Sequence, residues 1–256
     1  MNCSERRHKI LEKVEIEDFV DVIKLAEIYN VSDVTIRNDL KVLERQGFLE
    51  RTHGGASKVR NKEYYPSISA VSSENLMSKK MIATEAVKLI SDGDVIMIDV
   101  SSTCGELAKC IKKQKFQNLV IITNSFRTHA ELMNVPGIEL IFLGGRTNNQ
   151  MECTNGEMTI NMVNNLFADK TFLGTNGIDL KAGVTACNFE ETAIKKAMIA
   201  NSTKSYLLVD HSKFGKTNIA LVSNFESFDR IITDNRVPKD YIDALGDKLL
   251  VSDDIK

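Results

Sequence analysis

The stretch VSDVTIRNDLKVLERQGFLERTHGGA, which runs from Val31 to Ala56, decides how the first part of this chain folds. Within it, Ile36, Leu40 and Leu43 recur at the spacing that places side chains on one face of an α-helix. This spacing predicts a helix from Asp33 to Gln46 whose apolar stripe faces a core.

The residues before this helix predict a second, shorter helix and a tight turn. An apolar pattern from Ile23 to Tyr29 predicts the short helix, with Ile23 and Ala26 facing inward and Leu25 left open as a third inward position. Asn30 tolerates the left-handed backbone conformation that a tight turn needs, and Ser32 is a good N-cap for the helix that follows. Two helices joined by such a turn are typical of a helix-turn-helix.

The outer face of the longer helix carries amides and long hydrogen-bond donors, which are suited to phosphates and to base edges in a major groove. These side chains are Thr35, Arg37, Asn38, Lys41 and Arg45. After the helix, Phe48 to Thr52 is predicted to form a strand and His53 to Gly55 a turn. Together they would make a β-wing beside the reading helix.

Positive charge is concentrated in this part of the chain. From Thr35 to Lys62 there are seven basic residues and three acidic ones, a net charge of +4, whereas the whole chain has a formal charge of −2. Lys58, Arg60 and Lys62 extend the positive edge beyond the wing, and such a concentration suits contact with phosphates. A solvated surface helix also carries its charges outside, so spacing alone leaves that plainer alternative open.

The same stretch closely resembles the DNA-binding signature of the DeoR family of bacterial sugar-metabolism regulators, a pattern that spans the turn, the reading helix and the wing. The resemblance implies a winged helix-turn-helix with DNA contacts from both helix and wing. The implied contacts are Ser32, Thr35, Arg37, Asn38, Arg51 and His53, and the outer face adds Lys41 and Arg45. The match departs at Asn38, where the family usually has a second arginine; an asparagine can pair with adenine instead.

Residues 58–75 show no clear period and contain Pro66 and several serines, so we interpret them as a linker. The predicted domains are a winged helix-turn-helix over residues 1–57 and an effector-binding and oligomerisation domain over residues 76–256. In the second domain, apolar runs alternate with helical patterns, which predicts an α/β fold with a mostly parallel sheet covered on both faces. The predicted strands are Val95 to Ile98, Leu119 to Ile122, Leu140 to Leu143, Lys170 to Leu173, Tyr206 to Val209 and Arg230 to Thr233. The predicted helices are Asn75 to Ser91, Thr103 to Lys113, Ser125 to Met133, Asn155 to Asn165 and Glu190 to Asn201.

Polar residues follow each of these predicted strands. Because the carboxyl ends of parallel strands meet at one edge of the sheet, where α/β proteins bind ligands, these residues predict a pocket. The hydroxyl run Ser101 to Thr103, at the start of a predicted helix, is suited to a phosphate. Taken singly, each motif also has a plain structural interpretation, such as a helix N-cap for Ser101 or a turn for Gly144 and Gly145.

The second domain shows the motifs of the DeoR-family effector domain in the same order, so the resemblance covers nearly the whole chain. That domain is similar in fold to ribose-5-phosphate isomerase and glucosamine-6-phosphate deaminase. The resemblance implies that a phosphate is held by Ser101, Ser102 and Thr103. It implies contacts to the sugar or its phosphate from Asp99, Thr123, Asn124, Asn176 and Lys213, and close backbone approach at Gly144 and Gly145. The match departs at Ser101, where the family commonly has glycine.

Composition argues against several other classes of protein. No apolar run approaches the ~20 residues of a membrane-spanning helix, and Met1 to Lys9 lacks the apolar stretch of an ordinary signal peptide. We therefore expect a cytoplasmic protein without membrane contact. The five cysteines are odd in number and none stands in CxxC spacing, which argues against a disulfide framework and a metal site. No cofactor is expected.

Three functions stay open on the sequence. The first is a ligand-controlled repressor of carbohydrate genes, a dimer or tetramer that binds double-stranded operator DNA and a phosphorylated sugar. The second is an active sugar-phosphate isomerase or deaminase with a DNA-binding head, for which parts would come from Asp179, Glu190, Glu191 and Lys213. Against it, Asn176 stands where related isomerases carry an acid, and an amide cannot act as a general base. The third is a nonspecific DNA-binding protein without an effector, against which the polar strand ends argue.

Overall fold

The computed structural model describes residues 3–45, 48–57 and 68–252, and the chain divides into two units, Met1–Val71 and Ser72–Lys256. Residues 58–67, most of the interpreted linker, lie outside the described residues. Residues 68–73, in which no period was visible, form a helix. The domain boundaries stay a prediction.

The first unit is a helical bundle with a small antiparallel sheet. Its elements are α1 (Cys3–Glu17), β1 (Phe19–Asp21), α2 (Val22–Tyr29), α3 (Asp33–Arg45), β2 (Glu50–Thr52) and β3 (Gly55–Ser57). The three strands pair in the order β1-β3-β2. The predicted stripe of Ile36, Leu40 and Leu43 is buried in the core of this unit, which confirms that α3 is amphipathic.

The inward face of α2 differs from the sequence prediction. The side chain of Ile23 is 64% exposed, whereas Val22 and Leu25 are buried. Asp21 caps the helix, because its Oδ1 accepts hydrogen bonds from Ile23 N at 2.8 Å and Lys24 N at 3.1 Å. The helix therefore begins at Val22, and positions 22, 25, 26 and 29 form the buried stripe. The prediction that Ile23 faces inward was wrong, while Asn30 does adopt the left-handed conformation, with φ 51°.

The second unit is an α/β domain. Its helices are α4 (Ile68–Ser73), which begins in the first unit, α5 (Leu76–Ala86), α6 (Ser102–Lys113), α7 (Phe126–Leu132), α8 (Glu157–Asn164), α9 (Phe189–Ala200) and α10 (Lys239–Leu245). Its strands are β4 (Val95–Ile98), β5 (Leu119–Thr123), β6 (Ile138–Phe142), β7 (Arg146–Asn148), β8 (Cys153–Asn155), β9 (Ala168–Leu173), β10 (Gly177–Asp179), β11 (Gly183–Ala186), β12 (Ser202–Leu208), β13 (Ala220–Ser223), β14 (Arg230–Thr233) and β15 (Leu249–Val251).

A seven-stranded sheet, entirely parallel, forms the centre of this unit, with the order β15-β14-β12-β9-β4-β5-β6. All six predicted strands take part in it. The two flanking clusters are built from alternate residues of the same strand: Ile96 and Ile98 pack into one apolar cluster and Met97 into the other. The prediction of a parallel sheet covered on both faces is therefore confirmed.

The strand order reverses beside β4. The chain passes outward from β4 to β5 and β6 on one side, and the later strands β9, β12, β14 and β15 are added on the other. Parallel sheets bind ligands outside the carboxyl ends of their strands at such a reversal. The loops after β4 and β9 therefore bound the position where a ligand is expected. Within the described part of the chain, no helix combines the length and apolar character that a membrane crossing would need.

Candidate DNA-reading surface and ligand pocket

The first turn of α3 is stabilised by two residues that were predicted to contact DNA. Ser32 Oγ accepts a hydrogen bond from Thr35 N at 3.2 Å, and the two hydroxyl oxygens lie 2.8 Å apart. Ser32 is exposed and Thr35 half-buried. The N-cap role predicted for Ser32 is thus present, and its hydroxyl still lies at the surface where α3 begins.

The outward face of α3 is polar with one apolar exception. Arg37, Asn38 and Lys41 are exposed, and Arg37 Nε lies 3.5 Å from Asp33 Oδ2 one turn earlier. Val34 lies on the same face and is 60% exposed. The side chain of Arg45 lies outside the described residues. An exposed ion pair of this kind is weak, so Arg37 is free to exchange Asp33 for another anion.

Asp39, on the inner side of α3, anchors the helix to α1. The residue is 2% exposed. Its carboxylate accepts hydrogen bonds from Arg6 Nε at 2.6 Å and Arg7 Nε at 2.8 Å. Its negative charge is therefore balanced inside the unit and does not oppose the positive charges of Arg37 and Lys41 on the other face.

The wing is a hairpin of β2 and β3. Arg51 and His53 are exposed on it, and Arg51 Nη1 lies 3.5 Å from Glu44 Oε2 at the end of α3. A Cβ at Gly55 would lie 2.1 Å from the carbonyl oxygen of Val20, so only glycine allows the hairpin to approach β1 so closely. Lys58, Arg60 and Lys62, the predicted extension of this positive edge, lie outside the described residues.

At the strand reversal of the second unit, Asp99 and Lys195 form a buried ion pair. Asp99 follows β4 and Lys195 lies on α9; their side chains are 3% and 1% exposed. Lys195 Nζ also donates to Gly174 O at 3.0 Å and lies 3.1 Å from Glu191 Oε1. Asp99 accepts Gly174 N at 2.8 Å and Ser101 N at 2.9 Å. The loops after β4 and β9 are thereby joined.

The electrostatics of this pair keep both groups charged. Burial opposes ionisation of Asp99, but the neighbouring Lys195 ammonium holds the pKa of that carboxyl below its usual value. Burial likewise opposes the charge on Lys195, and the carboxylates of Asp99 and Glu191 overcome it and raise its pKa above the usual value. A pair so enclosed is costly to separate.

A pocket opens beside this ion pair. It is lined by Asp99, Val100, Asn124, Asn148, Met151, Cys153, Asn155, Asn188, Glu191, Ile194 and Lys195. Two residues predicted from the sequence, Asp99 and Asn124, are among them. The other polar members come from β7, β8 and α9, which the predicted polar strand ends did not include.

A second groove adjoins the pocket through Val100. Its lining includes Ser101, Ser102, Lys109, Ser125 and Arg127. Ser101 caps α6, since its Oγ accepts Cys104 N at 3.3 Å, and a Cβ at Gly174 would lie 2.3 Å from the Ser101 Cβ. The glycine at 174 therefore accommodates the serine that replaces the glycine usual in the family at 101.

The remaining predicted effector residues do not line the pocket or the groove. Thr103 is buried within α6. Thr123 Oγ1 donates to Ile98 O at 2.7 Å, and Asn176 Oδ1 accepts Cys187 N at 3.2 Å. Lys213 lies in the 3-10 helix His211–Lys213 beyond β12. Their predicted contacts with an effector stay predictions.

Gly144 and Gly145 do not line the pocket either, and they serve a close contact within the protein. Gly144 O accepts Thr159 Oγ1 at 2.8 Å. Gly145 has φ +153°, and a Cβ there would lie 2.0 Å from Thr159 Oγ1. The close contact seen at Gly145 is with Thr159 of α8, and the predicted approach of an effector to these glycines stays a prediction.

A further polar group lies at the ends of β12 and β14. Lys79 is 1% exposed; burial lowers its pKa to about 8, partly opposed by the carboxylate of Asp210. Asp210 Oδ1 accepts Asn75 Nδ2 at 3.1 Å. His211 Nδ1 lies 3.0 Å from Asp234 Oδ2. These contacts tie the start of α5 to the carboxyl edge of the sheet.

The sequence prediction missed Lys195, Asn155 and Asn188. A signal for Lys195 was present, because it follows Glu191 by four residues, the spacing of an intrahelical pair, and stands next to the apolar Ile194. Nothing in the sequence marked Asn155 and Asn188, which reach the pocket only through the packing of β8 and α9 against the sheet edge.

Two family models match this chain. The model of the DeoR-like helix-turn-helix domain matches residues 6–62, and that of the DeoR C terminal sensor domain matches residues 74–235. HTH-type transcriptional regulator GolR of Listeria innocua is 33% identical over 235 residues, 92% of each chain. The glycerol-3-phosphate regulon repressor of Escherichia coli K12 is 29% identical over 247 residues, 96% of this chain and 97% of that protein. Ribose 5-phosphate isomerase from Plasmodium falciparum superposes with a TM-score of 0.39 at 22% identity, over 54% of this chain and 52% of that chain. With both domain models matched in order along it, the chain belongs to the DeoR family of transcriptional regulators.

Proposed function

We propose that this protein is a cytoplasmic repressor of carbohydrate-metabolism genes, controlled by a phosphorylated sugar. The first unit binds operator DNA, and the second binds the effector and carries the oligomer contacts. The name of the glycerol-3-phosphate regulon repressor supports the repressor assignment. The effector shifts DNA affinity by binding one arrangement of the protein better than another.

The observation that carries the DNA-binding half is the outward face of α3. Its donors Arg37, Asn38 and Lys41 are exposed while the acidic Asp39 is buried and paired, so the face offers positive charge and amide groups to a groove. Arg37→Ala is expected to abolish the specific band in a gel shift with the upstream region of the protein's own operon. Lys239→Ala, an equal charge change at an exposed position at the start of α10, is the matched control. An unchanged band with Arg37→Ala would refute the assignment of the reading face.

The observation that carries the effector half is the pocket and adjoining groove at the strand reversal. The first N–H groups of a helix lack intrahelical partners. The start of α6, with Ser101 and Ser102, borders the groove together with Arg127, whose guanidinium is paired with Glu152. This is suitable chemistry for a phosphate. Thermal unfolding with a panel of sugar phosphates tests it, because a ligand of the native state raises the melting temperature. A panel without any shift would refute the effector half.

We also propose that the protein is neither a sugar-phosphate isomerase nor a deaminase. Asp99 accepts hydrogen bonds from Lys195, Gly174 N and Ser101 N, so it is a poor general base. The amide of Asn176 cannot act as a general base either. Pure protein is expected not to turn over ribose 5-phosphate or glucosamine 6-phosphate. Turnover of either compound would restore the isomerase or deaminase alternative.

Two reading heads on paired half-sites require a dimer or tetramer. Light scattering on the purified protein is expected to give two or four times 28.6 kDa. A monomer in both the free and the DNA-bound state would contradict this part of the proposal.

A further inference from the structure

Three side chains that line the pocket at the strand reversal each have a buried oxygen without a hydrogen-bond partner among the described residues. They are Asn124 Oδ1, Asn155 Oδ1 and Glu191 Oε2. Asn124 and Asn155 are 3% and 5% exposed. Buried polar atoms in folded proteins almost always have a partner. Three such atoms around one pocket therefore indicate that something binds there.

The contacts of the two asparagines fix which end of each amide remains for a bound particle. Asn124 Nδ2 donates to Thr154 O at 2.8 Å, and Asn155 Nδ2 donates to Glu190 Oε2 at 2.8 Å. A carbonyl or carboxylate oxygen only accepts, so each amide must turn its nitrogen to that partner and its oxygen away from it. With the carboxylate oxygen of Glu191, all three remaining atoms are oxygen acceptors.

The size of the cavity limits what can meet these oxygens. Its volume is about 20 Å³, which is room for one particle of the size of a water molecule. A single water has two hydrogens and can donate to two of the three acceptors at most, so one buried acceptor would stay unpaired at a cost. A cation has no such limit, because its charge attracts every surrounding oxygen at once.

The charges around the cavity favour a single positive charge. The charged lining residues are Asp99, Glu191 and Lys195, two carboxylates and one ammonium, which leaves a surplus of one negative charge. The ammonium already contacts Asp99, Glu191 Oε1 and Gly174 O, and these contacts use its three N–H donors. It therefore has no hydrogen left for the three unpartnered oxygens.

The ligand types and the available room exclude the common divalent ions. Within the described ranges, no group of three histidine, cysteine or carboxylate side chains could hold a metal ion, and two of the three oxygens here belong to amides. Calcium takes six to eight oxygens, and magnesium keeps several of its waters. Neither fits beside three oxygens in room for one water. A potassium ion is close to a water molecule in size and carries one charge.

We propose that the pocket holds one monovalent alkali cation of the size of potassium, coordinated by Asn124 Oδ1, Asn155 Oδ1 and Glu191 Oε2. The three ligands lie in the loop after β5, in β8 and in the first turn of α9. The ion joins these elements at the sheet edge. Because the unfolded chain does not hold the ligands together, the ion binds the native state and stabilises it. This inference goes beyond the proposed repressor function and does not depend on it.

The experiment is thermal unfolding of the full-length protein without any sugar phosphate, in potassium, sodium, magnesium or choline chloride at equal ionic strength. Choline is too large for the cavity and serves as the reference, and equal ionic strength removes general screening effects. With potassium at about ten times its dissociation constant, the melting temperature should rise by about 3–5 °C over choline. Sodium should give a smaller rise, because the oxygens would have to move inward to reach it, and magnesium none.

Two variants locate the ion. Glu191→Gln and Asn155→Ala should each remove most of the potassium-dependent rise. Every variant is compared with itself in choline, so a loss of stability from the substitution alone does not affect the result. The matched controls are Glu157→Gln and Asn161→Ala, at exposed positions of α8 outside the pocket lining, and both should keep the full rise.

The outcomes that overturn the proposal are distinct from a failure of the repressor function, since no DNA and no effector is present. Equal melting temperatures in potassium and choline would show that no such ion binds. A rise in sodium or magnesium as large as that in potassium would refute a monovalent ion of potassium size. A full rise in either Glu191→Gln or Asn155→Ala would place the ion elsewhere.

Discussion

The outward face of α3 and the pocket at the strand reversal are both polar, but they are built in opposite ways. On α3, Arg37, Asn38 and Lys41 are exposed, and the ion pair of Arg37 is made to Asp33 of the same helix. At the strand reversal, Asp99 and Lys195 are buried against each other. Their contacts join the loop after β4, the loop after β9 and helix α9. A change on α3 should therefore affect binding without affecting folding, whereas a change at the reversal should affect both.

The largest expected effect is the loss of Lys195. Lys195→Met leaves the Asp99 carboxylate buried without its ammonium, and breaking one side of a buried pair costs about 3–5 kcal/mol. Urea unfolding should show this loss. Lys196→Met, on the exposed neighbour, should stay within about 0.5 kcal/mol of the parent. If both variants unfold at the parent's urea concentration, the reversal is no more structural than the surface and the contrast with α3 disappears.

A pH titration of stability tests the buried edge in a second way. The pKa of Lys79 is lowered from 10.5 to about 8 by burial, so between these values the unfolded chain binds the extra proton and the folded one does not. The contribution of Lys79 to stability must therefore rise as the pH increases from 8 to 10.5, by roughly 2–3 kcal/mol. The measurement is the free energy of unfolding across that range for parent and Lys79→Met; parallel curves would exclude a depressed pKa at Lys79.

Asp39 is the place where α3 itself should behave like the buried region. Asp39→Asn keeps the shape of the side chain but removes the charge that Arg6 and Arg7 bond, which should destabilise the first unit by about 2 kcal/mol. Asp33→Asn, on the exposed side of the same helix, is the control. Thermal unfolding that cannot distinguish the two variants would show that the Asp39 contacts contribute little.

The smallest expected effect lies at Val34, which is 60% exposed on the outward face of α3. A β-branched side chain gains nothing in an exposed helix position, but it can contact a thymine methyl group. Val34→Ala should weaken operator binding several-fold, about 1 kcal/mol, with unchanged stability. In operators with single thymines replaced by uracil, which lacks the methyl group, the parent protein should lose affinity at one position. The Val34→Ala variant should lose affinity at none. Equal sensitivity of both proteins to every replacement would remove Val34 from the reading face.

Much of the fold was predictable because its signals are local. The stripe of Ile36, Leu40 and Leu43 is a matter of spacing along one helix, and six of the parallel strands contain a short, largely apolar run, such as Val95–Ile98 in β4. The edge strand β15 and the strands of the two small sheets, β7 with β8 and β10 with β11 and β13, were not predicted. Strands of three or four residues carry too little pattern. The inward face of α2 was misjudged at Ile23 because the cap at Asp21 moved the start of the helix to Val22.

By itself the sequence determined the buried and exposed faces of α3, the α/β class and the presence of Asp99 and Asn124 at a polar strand end, because each follows from neighbours within a few residues. Only the tertiary structure decided which polar residues share a pocket. It brought Lys195 and Asn155 to Asp99 and left Asn176 and Lys213 out of the pocket lining. The physical reason is that a pocket joins residues about a hundred positions apart, and their meeting depends on the order of strands in the sheet and the packing of α9 across it.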